Sequence, residues 1–95
     1  MIDMKDLKIE NPEDWYEVSK SLRSLISKMP EFYNDFYRIN KNLEIKIKEL
    51  GVIDTSLRRY QSLYHKQLRE VKLKEINDVI RTFSKMYLMA SLTKR

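Results

Sequence analysis

Residues 54–92 read DTSLRRYQSLYHKQLREVKLKEINDVIRTFSKMYLMASL, a run with neither glycine nor proline. Nothing in it stops a helix or supplies a positive φ for a tight turn, so it predicts one long helix. At ~1.5 Å per residue that helix would span about 55 Å. Asp54 is a good N-cap, with Thr55 and Ser56 behind it. The apolar stripe changes phase along the run. Leu57, Tyr60, Tyr64, Leu68 and Val71 define one face, and Leu73, Ile76, Ile80, Phe83 and Tyr87 another, rotated by about 100°. Either the helix breaks near Lys72, or its halves pack against different things.

Upstream, the punctuation is explicit. Asn11-Pro12-Glu13-Asp14 reads as a helix start, with Asn as cap, Pro in the first turn and acids facing the positive end of the dipole. Trp15, Val18, Leu22, Leu25 and Met29 follow at helical steps, and Pro30 disfavours helix at Met29. Pro30-Glu31 opens a second helix whose stripe is Phe36, Ile39, Leu43, Ile47 and Leu50, with Phe32, Tyr33 and Tyr37 at its start and Gly51 as its C-terminal stop. The expected fold is therefore all-α: a small antiparallel bundle of three helices over residues 12–28, 30–50 and 54–92. Residues 11–95 form a single domain preceded by a mobile acidic lead-in, residues 1–10.

The 95 residues include one Gly, two Pro and no Cys, with 42% hydrophobic and 35% charged positions. That apolar content excludes a disordered chain, and the missing cysteine excludes a disulfide framework or thiolate metal site. No apolar run reaches the length of a membrane span, and the acidic N-terminus lacks a signal-peptide pattern, so a cytoplasmic location is expected. The Lys-, Ile- and Tyr-rich composition suits a heat-adapted microbe. Charge is segregated. Residues 1–53 carry nine Lys/Arg against ten Asp/Glu, and residues 54–95 carry ten against four. A basic second half implies an anionic partner, nucleic acid being the commonest.

Catalysis finds no support in these residues. The single histidine, His65, lies between Tyr64 and Lys66, with Gln61 and Arg69 at i±4 rather than metal ligands. Glu13, Asp14 and Glu17 are accounted for by the first helical turn. One glycine cannot build a phosphate-cradling loop. The expectation is a non-enzyme with no metal, no cofactor, no small-molecule substrate and no membrane contact.

Two surfaces stand out as candidates for binding. Arg58, Arg59, Lys66, Arg69, Lys72 and Lys74 form a basic face, and between Thr55 and Arg69 there is no acid. Such a face would contact phosphate backbone without reading sequence and would be salt-sensitive. The last turns, Met86-Tyr87-Leu88-Met89-Ala90, are apolar nearly all round, so Phe83, Met86, Tyr87 and Met89 are candidates for docking a protein partner.

The segment Lys48–Tyr60 resembles a helix-turn-helix, with Gly51 at the turn, Leu50, Val52, Leu57 and Tyr60 at core positions, and Arg58 and Arg59 on the recognition helix. Ile47 and Lys46 stand where that family places a small and a buried apolar residue. Separately, Met29-Pro30-Glu31-Phe32-Tyr33 and a late basic helix ending in Arg81, Lys85, Met86, Leu88 and Ala90 are similar to the helical domain of GINS-complex subunits, with a Pro-to-Phe spacing one residue shorter. The second resemblance implies a scaffold role at a replication fork, and a small accessory subunit of an archaeal replicative polymerase would be similar in class. Three readings result: an accessory subunit of a DNA-handling complex in replication or repair, binding nucleic acid and a partner such as a polymerase; a dimeric helix-turn-helix regulator; or an adaptor that binds protein alone.

Overall fold

The computed structural model describes residues 7–93, in which three helices pack as α1 (Asp14–Ile26), α2 (Tyr33–Tyr60) and α3 (Leu63–Thr93), with a 3₁₀ turn at Pro30–Phe32. The all-α bundle matches the pattern of the sequence; several of its boundaries do not. Helix α1 starts at Asp14 because the Asp14 carboxylate turns back and accepts the backbone N–H groups of Glu10 and Asn11, both at 2.9 Å. Residues 11–13 are held in turn bonds instead, such as Asp14 N–H to the Asn11 carbonyl at 3.0 Å. At the other end Met29 is extended (φ −137°, ψ 74°), as the residue before a proline must be.

The larger correction concerns Gly51. It ends nothing: α2 runs through it for 28 residues, and α3 begins nine residues later than its expected N-cap at Asp54. The reversal falls at Gln61, which adopts the left-handed conformation (φ 49°, ψ 38°) and donates its N–H to the Leu57 carbonyl at 2.7 Å. Ser62 then caps α3, its hydroxyl accepting the His65 N–H at 3.1 Å. A helical glycine costs only ~1 kcal/mol, and contacts with α3 on both sides of Gly51 outweigh that. Residues 46–60 are thus one continuous helix, without the turn that a helix-turn-helix requires there.

Helices α2 and α3 form a long antiparallel hairpin. Along α2 its seam reads Phe36, Asn40, Leu43, Ile47, Leu50, Asp54 and Leu57, alternating steps of four and three. Along α3 the positions sharing one face are His65, Arg69, Lys72, Ile76, Ile80 and Phe83. The lower part of the interface is apolar: Leu43, Leu50, Ile76 and Ile80 are buried, and Phe36 meets Phe83 with ring centroids 5.8 Å apart. The upper part is stitched by charge. Lys46 pairs with Glu75, Lys72 with Glu49 at 2.8 Å and with Glu75 at 3.6 Å, and Arg69 with Asp54 at 2.6 Å. Helix α3 is accordingly unbroken at Lys72. Its core-facing seam keeps its phase and changes chemistry, from ion pairs to hydrocarbon.

Helix α1 lays Val18, Leu22, Leu25 and Ile26 on this hairpin. Residues 7–10 of the lead-in, expected to be mobile, are tied down: Ile9 is 1% exposed, Leu7 packs at the edge of the core, and the Ile9 backbone is bound by Asn77. Residues 1–6 of that lead-in lie outside the described residues. Among the described residues, no helix is long and apolar enough to cross a membrane.

Candidate nucleic-acid interface

The structure divides the basic face into two populations. Arg69 and Lys72 are turned inward. The Arg69 guanidinium donates to Asp54 at 2.6 Å, to the Glu10 carbonyl at 2.6 Å and to Asn11 Oδ1 at 3.1 Å, joining α3 to α2 and to the lead-in. Hydrogen bonding to Glu49 raises the Lys72 ammonium above its ordinary range, against the opposing effect of burial. Both cations are neutralised locally and hold the fold; neither is available to a phosphate. The acid-free stretch of sequence is not acid-free in space, because α2 brings Asp54 alongside Arg69, and Glu49 alongside Lys72 just beyond it. Lys74 is exposed but sits 3.4 Å from Asp78 one turn on, away from the reversal.

Arg58, Arg59 and Lys66 are different. All three are exposed and flank the reversal between α2 and α3, and none pairs with a carboxylate among the described residues. They share this tip with aromatic side chains that the sequence pattern assigned to a buried stripe. Tyr60 is 62% and Tyr64 66% exposed, Leu63 next to Tyr64 is exposed, as is Val71 two turns farther along α3, and Leu57 and Leu68 are only half-buried. The phase change in the sequence therefore marks a partly solvent-facing stripe near the tip and a buried one farther down.

At the centre of the tip is His65, half-buried, the residue whose sequence neighbours gave no support for catalysis or metal binding. Its ring stacks with Tyr60 (centroids 6.0 Å, planes at 23°) and meets Tyr64 edge-on (5.4 Å, 78°). Ser62 braces the ring, its Oγ lying at hydrogen-bond distance, 2.8 Å, from His65 Nδ1. The Arg59 guanidinium carbon lies 5.8 Å from the Tyr60 centroid. The spacing Ser62-x-x-His65, an N-cap followed by a polar residue at N3, was the clue available in the sequence.

At the opposite end of α3 the apolar candidates also separate. Phe83 is 3% exposed and belongs to the core against Phe36, so it is not a docking residue. Tyr87 is half-buried. Met86 and Met89 are exposed, together with Leu88 and Leu92. Lys66 and Met89 are separated by about 35 Å along the helix at ~1.5 Å per residue. Among the described residues no cluster of His, Asp or Glu could hold a metal ion. Comparisons with models of known families, with curated proteins and with solved structures found no match to this chain.

Proposed function

We propose that this chain is a non-catalytic accessory subunit of a DNA-handling complex, acting in replication or repair in the cytoplasm at the nucleoid. The observation that carries the reading is the set of three cations, Arg58, Arg59 and Lys66, at the α2–α3 reversal without a paired carboxylate. A face serving only solubility would mix signs, and nearby Arg69 and Lys72 show how this fold neutralises cations it uses structurally. The tip contacts phosphate backbone irrespective of sequence. Met86, Met89, Leu88 and Leu92, at the far end of α3, dock on a protein partner such as a polymerase, so that the long helix separates the two contacts.

The experiment is fluorescence anisotropy on random-sequence duplex DNA across a salt series. Three phosphate contacts give a slope of log affinity on log salt near about −2.7. The triple variant Arg58→Glu, Arg59→Glu, Lys66→Glu loses binding while keeping the native melting temperature. Normal binding by that variant overturns the nucleic-acid half of the reading. For the protein half, affinity purification with and without nuclease identifies the partner; association abolished by nuclease would mean that nucleic acid, not the apolar end, makes the link.

A further inference from the structure

Charge alone would be satisfied by any polyanion, but the tip holds more than charge. Within the span from Tyr60 to Lys66 lie two tyrosine rings more than half exposed, an imidazole braced by a hydroxyl, and an exposed leucine, with Arg59 beside the Tyr60 ring and Arg58 and Lys66 each two residues from a tyrosine along the chain. A fold that needed only to reverse direction here could use glycine and small polar residues. Instead the left-handed Gln61 brings the last residue of α2 over the first turn of α3, which places the Tyr60 ring against His65. Exposed aromatic rings are costly to keep in water, and flat rings beside unpaired cations are what an unpaired nucleotide requires: a π-face for the base and a positive charge for the phosphate.

We infer that the Tyr60–His65–Tyr64 cluster is a base-stacking platform, and that the tip binds single-stranded nucleic acid in preference to duplex. This deepens the proposed function and rests on it. Bases paired within a helix stack on one another and cannot offer their faces to a side chain, whereas an unpaired base can. Tyr64, the more exposed of the two, offers a ring to the incoming base. His65 and Ser62 hold the platform rigid, so that little side-chain freedom is lost on binding. Arg59, beside Tyr60, can stack its guanidinium plane and still reach a phosphate. Recognition of this kind is indifferent to sequence because every base has a π-face.

The test compares four probes at low salt: an oligothymidylate strand, an oligouridylate strand, duplex DNA of the same length, and an abasic strand that keeps the phosphates and lacks the bases. One or both single strands should bind at least about tenfold more tightly than the abasic strand. The Tyr60→Ala/Tyr64→Ala variant should lose that advantage and bind single and abasic strands alike, with duplex affinity unchanged. Tyr60→Phe/Tyr64→Phe, which keeps the rings, should retain it. Both tyrosines are exposed, and a melting curve verifies that the variants fold. Equal binding of single and abasic strands by the native protein, or native single-strand binding by the alanine variant, overturns the platform while leaving backbone binding intact. Failure of all four probes to bind overturns the proposed function and the platform with it.

Discussion

Asn77, in the middle of α3, holds the backbone of Ile9 from both sides: the Ile9 N–H donates to Asn77 Oδ1 at 2.8 Å, and Asn77 Nδ2 donates to the Ile9 carbonyl at 2.9 Å. One side-chain amide thus satisfies a peptide donor and a peptide acceptor 68 residues away, as a neighbouring strand would. The arrangement lets Ile9 bury its side chain without leaving its backbone groups unpaired. Replacing Asn77 by Leu removes both bonds and orphans both peptide groups. The expected destabilisation is about 2–3 kcal/mol, measured by chemical denaturation, with amide exchange at Ile9 accelerating more than exchange in α2. Exchange at Ile9 unchanged in this variant would mean that hydrocarbon packing alone holds the segment.

The cations of α3 and of the tip should separate cleanly in a stability scan. Arg69→Ala loses three hydrogen bonds and leaves Asp54 partly buried without its partner, at an expected cost of about 2–3 kcal/mol. Arg58→Ala, Arg59→Ala and Lys66→Ala should each stay within about 0.5 kcal/mol of native, as exposed side chains without ion pairs. A destabilised Lys66→Ala would place that residue among the structural cations instead.

Gly51 and Gln61 stand in each other's expected roles, and a helix former at 51 and a glycine at 61 should stabilise the protein. A Cβ added at Gly51 meets nothing within 4 Å, and no glycine here has a positive φ. Gly51→Ala therefore gains about 0.5–1 kcal/mol of helix propensity. Gln61→Gly relieves a side chain held at positive φ, with an expected gain of up to about 1 kcal/mol. Thermal melts of the single and double variants test both. A Gly51→Ala variant that melts lower would restore the helix end at residue 51.

Stability should fall in acid. Hydrogen bonds from the Glu10 and Asn11 backbone N–H groups hold the Asp14 carboxyl below its ordinary value of 3.8. Those from Lys46, supported by the Lys72 charge, hold Glu75 below its ordinary 4.5. A carboxylate with a depressed native pKa stabilises the fold fully above its unfolded value and ceases to do so as pH falls through the native one. Loss should accordingly begin near pH 4.5 and steepen below 3.8. Lys72, raised above its ordinary 10.5 chiefly by Glu49, gives the mirror effect: its contribution is complete below 10.5 and vanishes as pH rises through its native value. Melting temperatures across pH 2–7 check the acid limb. Glu75→Gln should flatten it; an unchanged profile in that variant would assign the acid loss to other carboxylates.

Helix content, the count of three helices and the break at Met29-Pro30 were already legible in the linear chain, because 3.6-residue periodicity and the geometry of proline act within a turn or two. Arg58, Arg59 and Lys66 were legible as candidates too, because no acid lies between Thr55 and Arg69, but Asp54 and Glu70 stand at i−4 of Arg58 and i+4 of Lys66, and only the structure shows that neither pairs with them. The position of the reversal was not local. Gly51 carried the usual mark of a helix end, but its small propensity cost was outweighed by the seam continuing through Asp54 and Leu57 onto α3. Arg69 and Lys72 could not be told from the tip cations either, since Asp54 and Glu49, the carboxylates that bind them most closely, lie 15 and 23 residues away along the chain. Nor could Phe83 be separated from Met89: both continue an apolar run, and only the packing of α2 decides which is covered. Local chemistry made this chain a helical bundle with a basic second half. The long hairpin then chose which charges to neutralise, and left three of them, around two tyrosines and a histidine, at its tip.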